Sequence, residues 1–267
     1  MLSLISLYRC CVSSQTASQR VARSGIAASL LALLALSLSG CAVGSLGNSG
    51  ADNRYESAIV DAAVVTPRNV RTLQPLPEGD VVTVVTWVGA SKHYCQAEGA
   101  CEITVGATPI WVSLPTEIQL ICRSWGLSGD ALRNRLEQLL GLPPNSPPSY
   151  RKVAFVELAA PRSNIARPCL GVHSTDDGRP QCALRADGSQ DQIELRIVND
   201  QMAYAYVVGD SGAPGYPFTR LGYTYDWGSN TDGASGHYGV SEFIVLPGSK
   251  ISVLRSLPTD EYCSHAN

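Results

Sequence analysis

The chain has 267 residues, 45% of them hydrophobic and 16% charged, with 24 Gly, 16 Pro and a formal net charge of −3. That apolar content excludes a disordered chain, and the Gly and Pro predict a loop-rich globule. Setting aside Arg9, Arg20 and Arg23 leaves 17 basic residues against 23 acidic ones, about −6, and an acidic body lacks the basic face that a nucleic-acid partner requires.

Residues 1–40 read as an export signal. Arg9, Arg20 and Arg23 form a positive n-region without acidic residues, and the apolar run Ile26–Leu38 has the length of a signal h-region rather than of a membrane span. It ends in Leu38-Ser39-Gly40-Cys41, which resembles the lipobox of bacterial lipoproteins. The resemblance implies cleavage before Cys41 and lipidation of that cysteine, with a diacylglycerol carried on its thiol and palmitate among the acyl chains, so that the lipid is the membrane attachment. Ala42, where an Asp would hold such a protein in the inner membrane, implies the periplasmic face of the outer membrane. Residues 41–56 are rich in Gly, Ser and Asn and predict a flexible tether. Residues 57–267 are then one globular domain.

Along that domain, GDVVTVVTWVG (79–89) is β-branched and bounded by glycines, which predicts a strand, and PIWVSL (109–114) predicts a second. PTEIQLICRSWG predicts a short helix capped by Thr116. SGDALRNRLEQLLGLPP is the clearest element: Asp130 can cap it, Leu132, Leu136, Leu139 and Leu140 share one face, and Gly141 with Pro143 and Pro144 ends it. RKVAFVEL (151–158) is nearly continuous in apolar residues, as in a central strand. APRSNIARPC predicts a turn or short helix. For residues 190–208 strand-like alternation at Ile193, Leu195 and Ile197 competes with a Ser189–Gln192 capping box, and the length favours helix. GVSEFIVLPGSKISVLRSL places two apolar runs around Pro247-Gly248-Ser249, which predicts a hairpin. The pattern predicts an α+β fold: a single disulfide-stapled domain with a mixed or antiparallel sheet and a few helices.

Of nine cysteines, Cys10 and Cys11 fall in the signal and Cys41 is the lipid site. The remaining six, Cys95, Cys101, Cys122, Cys169, Cys182 and Cys263, are an even set in an exported chain and predict three disulfides out of 15 pairings. Short spacing favours Cys95–Cys101 and Cys169–Cys182, which leaves Cys122–Cys263. The competing zinc reading of Cys169, His173, Asp176, Asp177 and Cys182 has no knuckle-like spacing, so no metal is expected.

No GxSxG, P-loop, HExxH or GxGxxG element is present, and no cofactor is expected. The distinctive stretch is TRLGYTYDWG, 219–228. Alternation puts Tyr223, Tyr225 and Trp227 on one face, with Arg220 and Asp226 beside them, ahead of a Gly-rich loop. Such rings with a few polar groups form either a ligand platform or a wall of the core. His237, Ser241 and Asp226 permit a Ser–His–Asp set on paper only.

Two resemblances attach to this region. YPFTRLGYTYDWG, with RLEQLLGLPP upstream and GVSEF downstream, resembles a group of uncharacterised exported bacterial proteins, a likeness that carries no activity. SEFIVLPGSKISVL resembles the end of the ADP-ribosyltransferase fold. That likeness implies that Glu242 stabilises positive charge on the NAD ribose while Tyr223 or Tyr225 stacks on nicotinamide; the family's Ser-Thr-Ser is missing here. The expectation is an envelope lipoprotein acting as a binding or structural module for an envelope protein or small-molecule ligand. The alternative is an exported enzyme centred on Glu242 and Tyr223.

Overall fold

The computed structural model describes residues 49–89, 94–95, 101–144, 146, 148, 150–208, 215–229 and 236–264, all within the unit Gly47–Asn267. The signal, the lipobox with Cys41, and His93 and His265 lie outside the described residues. In chain order the elements begin with α1 (Ser49–Ala63), β1 (Val81–Gly89), β2 (Cys101–Thr104), β3 (Ile110–Val112), α2 (Pro115–Ser124) and α3 (Gly129–Leu139). There follow β4 (Lys152–Pro161), a 3₁₀ turn (Arg162–Asn164), β5 (Ile165–Ala166), β6 (Val172–Ser174) and β7 (Pro180–Cys182). The chain closes with α4 (Gln192–Ala205), β8 (Tyr223–Tyr225), β9 (Tyr238–Ser241), β10 (Phe243–Val245), β11 (Lys250–Pro258) and α5 (Thr259–Ser264). The fold is α+β, and every named strand pair is antiparallel.

A four-stranded sheet runs β1-β4-β11-β2 and a three-stranded sheet runs β3-β10-β5. They meet where Val85 and Ser113 exchange both backbone hydrogen bonds at 2.9 Å. Strand alternation then sorts the side chains. Val82, Val84, Val156, Leu158, Ala160 and Val253 face Val112, Phe243 and Val245 in the main core between the sheets. Val85, Trp87 and Phe155 face the other way, onto Ile118, Leu132, Leu136 and Tyr262 of α2, α3 and α5. There Trp87, Phe155 and Tyr262 stack, with centroids 5.6 and 4.4 Å apart, and the Trp87 indole donates to Thr259 Oγ1 at 2.9 Å. β4 is central, as its apolar run implies. A one-residue shift at Leu254 in β11 brings Arg255 opposite Glu157, and the guanidinium makes two 2.8 Å hydrogen bonds to that carboxylate.

Several expectations need correction. The runs flanking Pro247-Gly248-Ser249 do not pair as a hairpin: β10 joins β3 and β5, while β11 joins β4 and β2. β10 is buried along its whole length and needs cover on both faces. The turn is instead a corner between sheets, held by Gly248 N–H on the Val105 carbonyl and Val105 N–H on that of Ser249, both at 2.9 Å. Thr116 does not cap α2, which starts at Pro115 after Leu114, because proline's fixed φ suits the first helical position. Asp130 lies inside α3 and pairs with Arg133; the free Gly129 N–H is taken by the Asp260 carboxylate of α5 at 2.6 Å. Residues 192–205 form a helix, yet its cap is Asp191, whose carboxylate accepts from the N–H groups of Ile193 and Glu194. Ser189 is diverted to Val172 N–H and Asp187. Finally, α1 begins at Ser49, so the last part of the 41–56 tether is helical, and Tyr55 within it is fully buried.

Among the described residues three disulfides form: Cys95–Cys101, Cys122–Cys263 and Cys169–Cys182. Cys122–Cys263 joins α2 to α5 across 141 residues and fastens the C-terminal helix onto the Trp87–Phe155–Tyr262 stack. In the chain-entropy picture a loop of that length is worth about 5 kcal/mol, against about 2 kcal/mol for the six-residue separation of Cys95–Cys101. Removing Cys122–Cys263 by a double Ala substitution will therefore lower the denaturation midpoint more than removing Cys95–Cys101 does. Urea melts of the two variants decide this, and the oxidised wild-type domain should titrate no free thiol.

Candidate functional site

TRLGYTYDWG is a clasp between helices. The last carbonyls of α3 have no partner within the helix, and three carbonyls at that end of the helix are met by this stretch. Trp227 N–H donates to Gln138 O at 3.2 Å, Thr224 Oγ1 to Leu139 O at 2.7 Å, and the Trp227 indole to Leu142 O at 3.0 Å. Gly141, at φ +67°, turns the chain out of α3 so that these carbonyls face the clasp. Asp226 accepts two hydrogen bonds from Arg135 of α3, at 2.9 and 2.6 Å.

The ring face is already occupied. Tyr225 and Trp227 pack against Tyr55, Ala58, Ile59 and Ala62, the apolar stripe of α1. Tyr223 packs against Leu73 and the Cys169–Cys182 disulfide. The three rings are 6%, 6% and 4% exposed, so no ligand can lie across all of them. Their polar tips are satisfied: Tyr223 donates to Asn69 O and Tyr225 to Asp61 Oδ2, each at 2.8 Å. Arg220, at φ +48°, donates to Ala63 O at the C-terminus of α1 at 3.3 Å, where a cation also suits the helix dipole.

The cavity lies next to this clasp. About 450 Å³ of space opens on the face of β1 and β3 that carries Val85, Trp87, Trp111 and Ser113. One wall is the turn Leu140–Pro143 after α3; the other is Tyr216–Phe218 with Gln201 of α4. Thr224 and Tyr225 give it an edge, so the clasp contributes one ring, not three. Trp111 stands edge-on to Phe218, with centroids 5.7 Å apart. Tyr223 and Arg220 are not among its lining residues. Register explains why Glu242 is. Ile244 pairs with Trp111 and shares its face, whereas Phe243 pairs with Val112 and faces the core. Glu242, two residues before Ile244, therefore projects on the cavity side, beside Trp111.

The carboxyl of Glu242 is half-buried, and no described residue hydrogen-bonds to it; its backbone N–H donates to Gly222 O at 3.0 Å. Across the strand lies Arg167, itself 7% exposed. Its guanidinium covers the Phe243 ring at 4.1 Å and donates to Gly222 O at 3.0 Å and Gln74 O at 2.5 Å. Gly222 is required there: at φ +75°, any Cβ would stand 2.6 Å from Arg167 Cδ and 3.0 Å from Cys182 Sγ. A second carboxyl shares the guanidinium. Glu117, in the first turn of α2, accepts from Ser241 N–H at 3.1 Å. Burial raises its pKa against the opposing pull of Ser241 and Arg167. Burial likewise pushes Glu242 up to about 8, opposed only by Arg167, while burial lowers Arg167 to about 10 against the pull of both carboxyls. One buried cation facing two carboxyls neutralises one of them. The other keeps its proton near neutral pH, and the absence of hydrogen bonds to Glu242 makes that residue the protonated one.

The remaining candidates have structural partners. His237 Nδ1 lies 3.1 Å from the Asp226 backbone oxygen and its ring stacks on Tyr225 at 4.8 Å; with Asp226 held by Arg135, no Ser–His–Asp relay forms with Ser241. His173 pairs with Asp187 at 3.2 Å, and Cys169 and Cys182 are oxidised, so that cluster offers no zinc site. Among the described residues no group of His, Cys, Asp and Glu is arranged to hold a metal, and no helix is long and apolar enough to cross a membrane. No family model, curated protein or solved structure matches the chain.

Two predictions follow from these contacts. Trp227→Ala removes a buried ring and the Leu142 hydrogen bond and should cost about 3–5 kcal/mol of stability, whereas Tyr225→Phe, losing only the bond to Asp61, should cost about 1 kcal/mol. Chemical denaturation distinguishes them, and early proteolysis within α1 should accompany the first. For Glu242 the folded pKa, about 8, lies above the unfolded value near 4.5. Between those limits the unfolded chain sheds a proton that the fold retains, so stability falls as pH rises through that window. Glu242→Gln should thus match wild type at acid pH and melt higher than wild type at about pH 8; equal melting shifts at both would contradict a protonated Glu242.

Proposed function

We propose that this protein is an envelope lipoprotein, anchored through Cys41, whose folded domain binds a small ligand in the cavity beside Trp111, with Glu242 as the polar group that orients it. The observation that carries this reading is a carboxyl without a hydrogen-bond partner aimed into a mostly apolar, aromatic-walled cavity. A ligand can supply the partner that the fold does not, and the cavity falls in the range of about 300–1,000 Å³ typical of small-molecule sites. The Leu38-Ser39-Gly40-Cys41 sequence supports the anchor, and Ala42 supports sorting to the outer membrane.

An NAD-consuming enzyme is the second reading, favoured by the single fact that Glu242 and Tyr225 border the same space. Electrostatics weigh against it. Stabilising a developing positive charge needs a carboxylate, and burial holds Glu242 largely protonated at neutral pH. Tyr223 is committed to the disulfide core, away from Glu242.

A fragment screen of the soluble domain by NMR should find ligands that shift the indole signals of Trp111 and Trp87, with the shifts lost in Glu242→Leu. A screen in which no fragment moves either indole would remove the binding reading. Incubation with NAD should release nicotinamide no faster than buffer; release that disappears in Glu242→Gln would establish the enzyme instead. Palmitate labelling of the full chain, abolished by Cys41→Ala, tests the anchor.

A further inference from the structure

We propose that the cavity selects a neutral ligand with a flat ring and a planar urea- or amide-like edge, the ring lying against Trp111 and the edge hydrogen-bonded to the Glu242 carboxyl. This rests on the binding reading above and adds the chemical class. The register of β10 against β3 fixes the geometry: Glu242 and Trp111 occupy the same face of one sheet, so a ring on the indole brings its substituent to the carboxyl. Tyr216 and Phe218 line the same cavity, with Phe218 edge-on to Trp111 at 5.7 Å, so the ligand ring takes the part of the indole that Phe218 leaves open.

Charge decides between ligand classes. The groups acting on Glu242 are Arg167 from the segment after β5 and the Tyr216 hydroxyl from the wall, and Lys152 of β4 lines the same cavity. A cationic ligand would sit in the field of Lys152, with Arg167 behind Glu242. An anionic one would lie against the Glu242 carboxyl and oppose its ionisation. A neutral edge meets neither opposition. A protonated carboxyl presents one O–H donor and one carbonyl acceptor side by side. The complementary partner carries an acceptor next to a donor in one plane, which a urea, amide or lactam does. The space exceeds that of a single ring with such an edge, so the natural ligand extends further along the wall formed by Leu140–Pro143.

Three probes of equal shape and different charge test this: phenylurea, phenylguanidinium and phenylacetate. Each is titrated into the disulfide-intact soluble domain while the Trp111 indole signal is followed. At about pH 6.5 phenylurea should bind with a Kd on the order of 1 mM, at least roughly ten-fold tighter than the other two. Its affinity should fall at least roughly ten-fold at about pH 9.5, where the carboxyl loses its proton. Glu242→Gln, which keeps a donor beside an acceptor, should retain phenylurea binding and lose the pH dependence; Trp111→Ala, followed at the Trp87 indole in the same cavity, should abolish binding. Tighter binding of phenylguanidinium or phenylacetate at the Trp111 signal would overturn the proposed class and leave the binding site standing. Failure of all three to move that signal would also overturn the class. Hits or silence in the broader fragment screen would then show whether the site itself survives.

Discussion

A guanidinium that cannot reach water has to be surrounded by acceptors, and Arg167 organises this protein through that requirement. It draws on backbone carbonyls from two distant segments, Gln74 and Gly222, and on carboxyls from two more, Glu117 and Glu242. Each partner is thereby fixed in place. Gly222 O holds the turn that launches β8, and the same oxygen accepts from Glu242 N–H, so one carbonyl ties the clasp to the strand that carries the cavity carboxyl. Breaking such an arrangement by removing Arg167 alone would leave two half-buried carboxyls without a counter-charge, a worse state than an apolar core of the same shape. Burial raises the pKa of both carboxyls and Arg167 opposes it in both.

The clasp links this charge centre to the N-terminus. Strand β8 and the residues after it satisfy the open end of α3 on one side and hold α1 on the other. α1 takes in the last residues of the expected tether, and Tyr55 within it is held against Trp227 and Tyr225 by rings, not loops. Arg220 accepts an unfavourable backbone geometry, φ +48°, and in return closes the far end of the same helix. An element that holds the first described helix to the rest of the fold has reason to be aromatic and rigid without touching a ligand.

How much of this could be read from the sequence depends on how local each signal is. The helix at Leu132, Leu136 and Leu139 was legible because its apolar spacing, its Gly141 stop and its prolines lie within one window. Disulfide pairing was legible because parity and two short spacings left one remaining pair. The turn at Pro247-Gly248-Ser249 misled, since a Pro-Gly corner between sheets and a hairpin turn share the same local chemistry; what separates them is that β10 is covered on both faces. Caps misled for a related reason, because Ser189, Thr116 and Asp130 compete with Asp191, Pro115 and Asp260, and tertiary geometry chooses among them. Tyr223, Tyr225 and Trp227 were visible as a group, but alternation says only that rings share a face, and the fold gives Tyr225 and Trp227 to α1 and Tyr223 to the Cys169–Cys182 disulfide. The cavity itself was not legible. Trp111, Gln201 and Glu242 come from three separate elements, and only the β3–β10 register and the packing of α4 bring them together.

These two kinds of aromatic residue distinguish structure from site. Tyr55, Tyr223, Tyr225 and Trp227 each direct their polar atom to a protein acceptor, so their hydrogen-bonding capacity is spent within the fold. The capacity of the half-buried Glu242 carboxyl is not spent in this way, and the carboxyl lies among apolar walls. A fold that satisfies the tyrosine and indole groups of its clasp so completely has the means to satisfy one more carboxyl. It leaves this one facing open space of ligand size, with Arg167 close enough to stabilise its charge yet occupied by two carbonyls, so the hydrogen-bonding capacity that the conspicuous tyrosines have spent is open here.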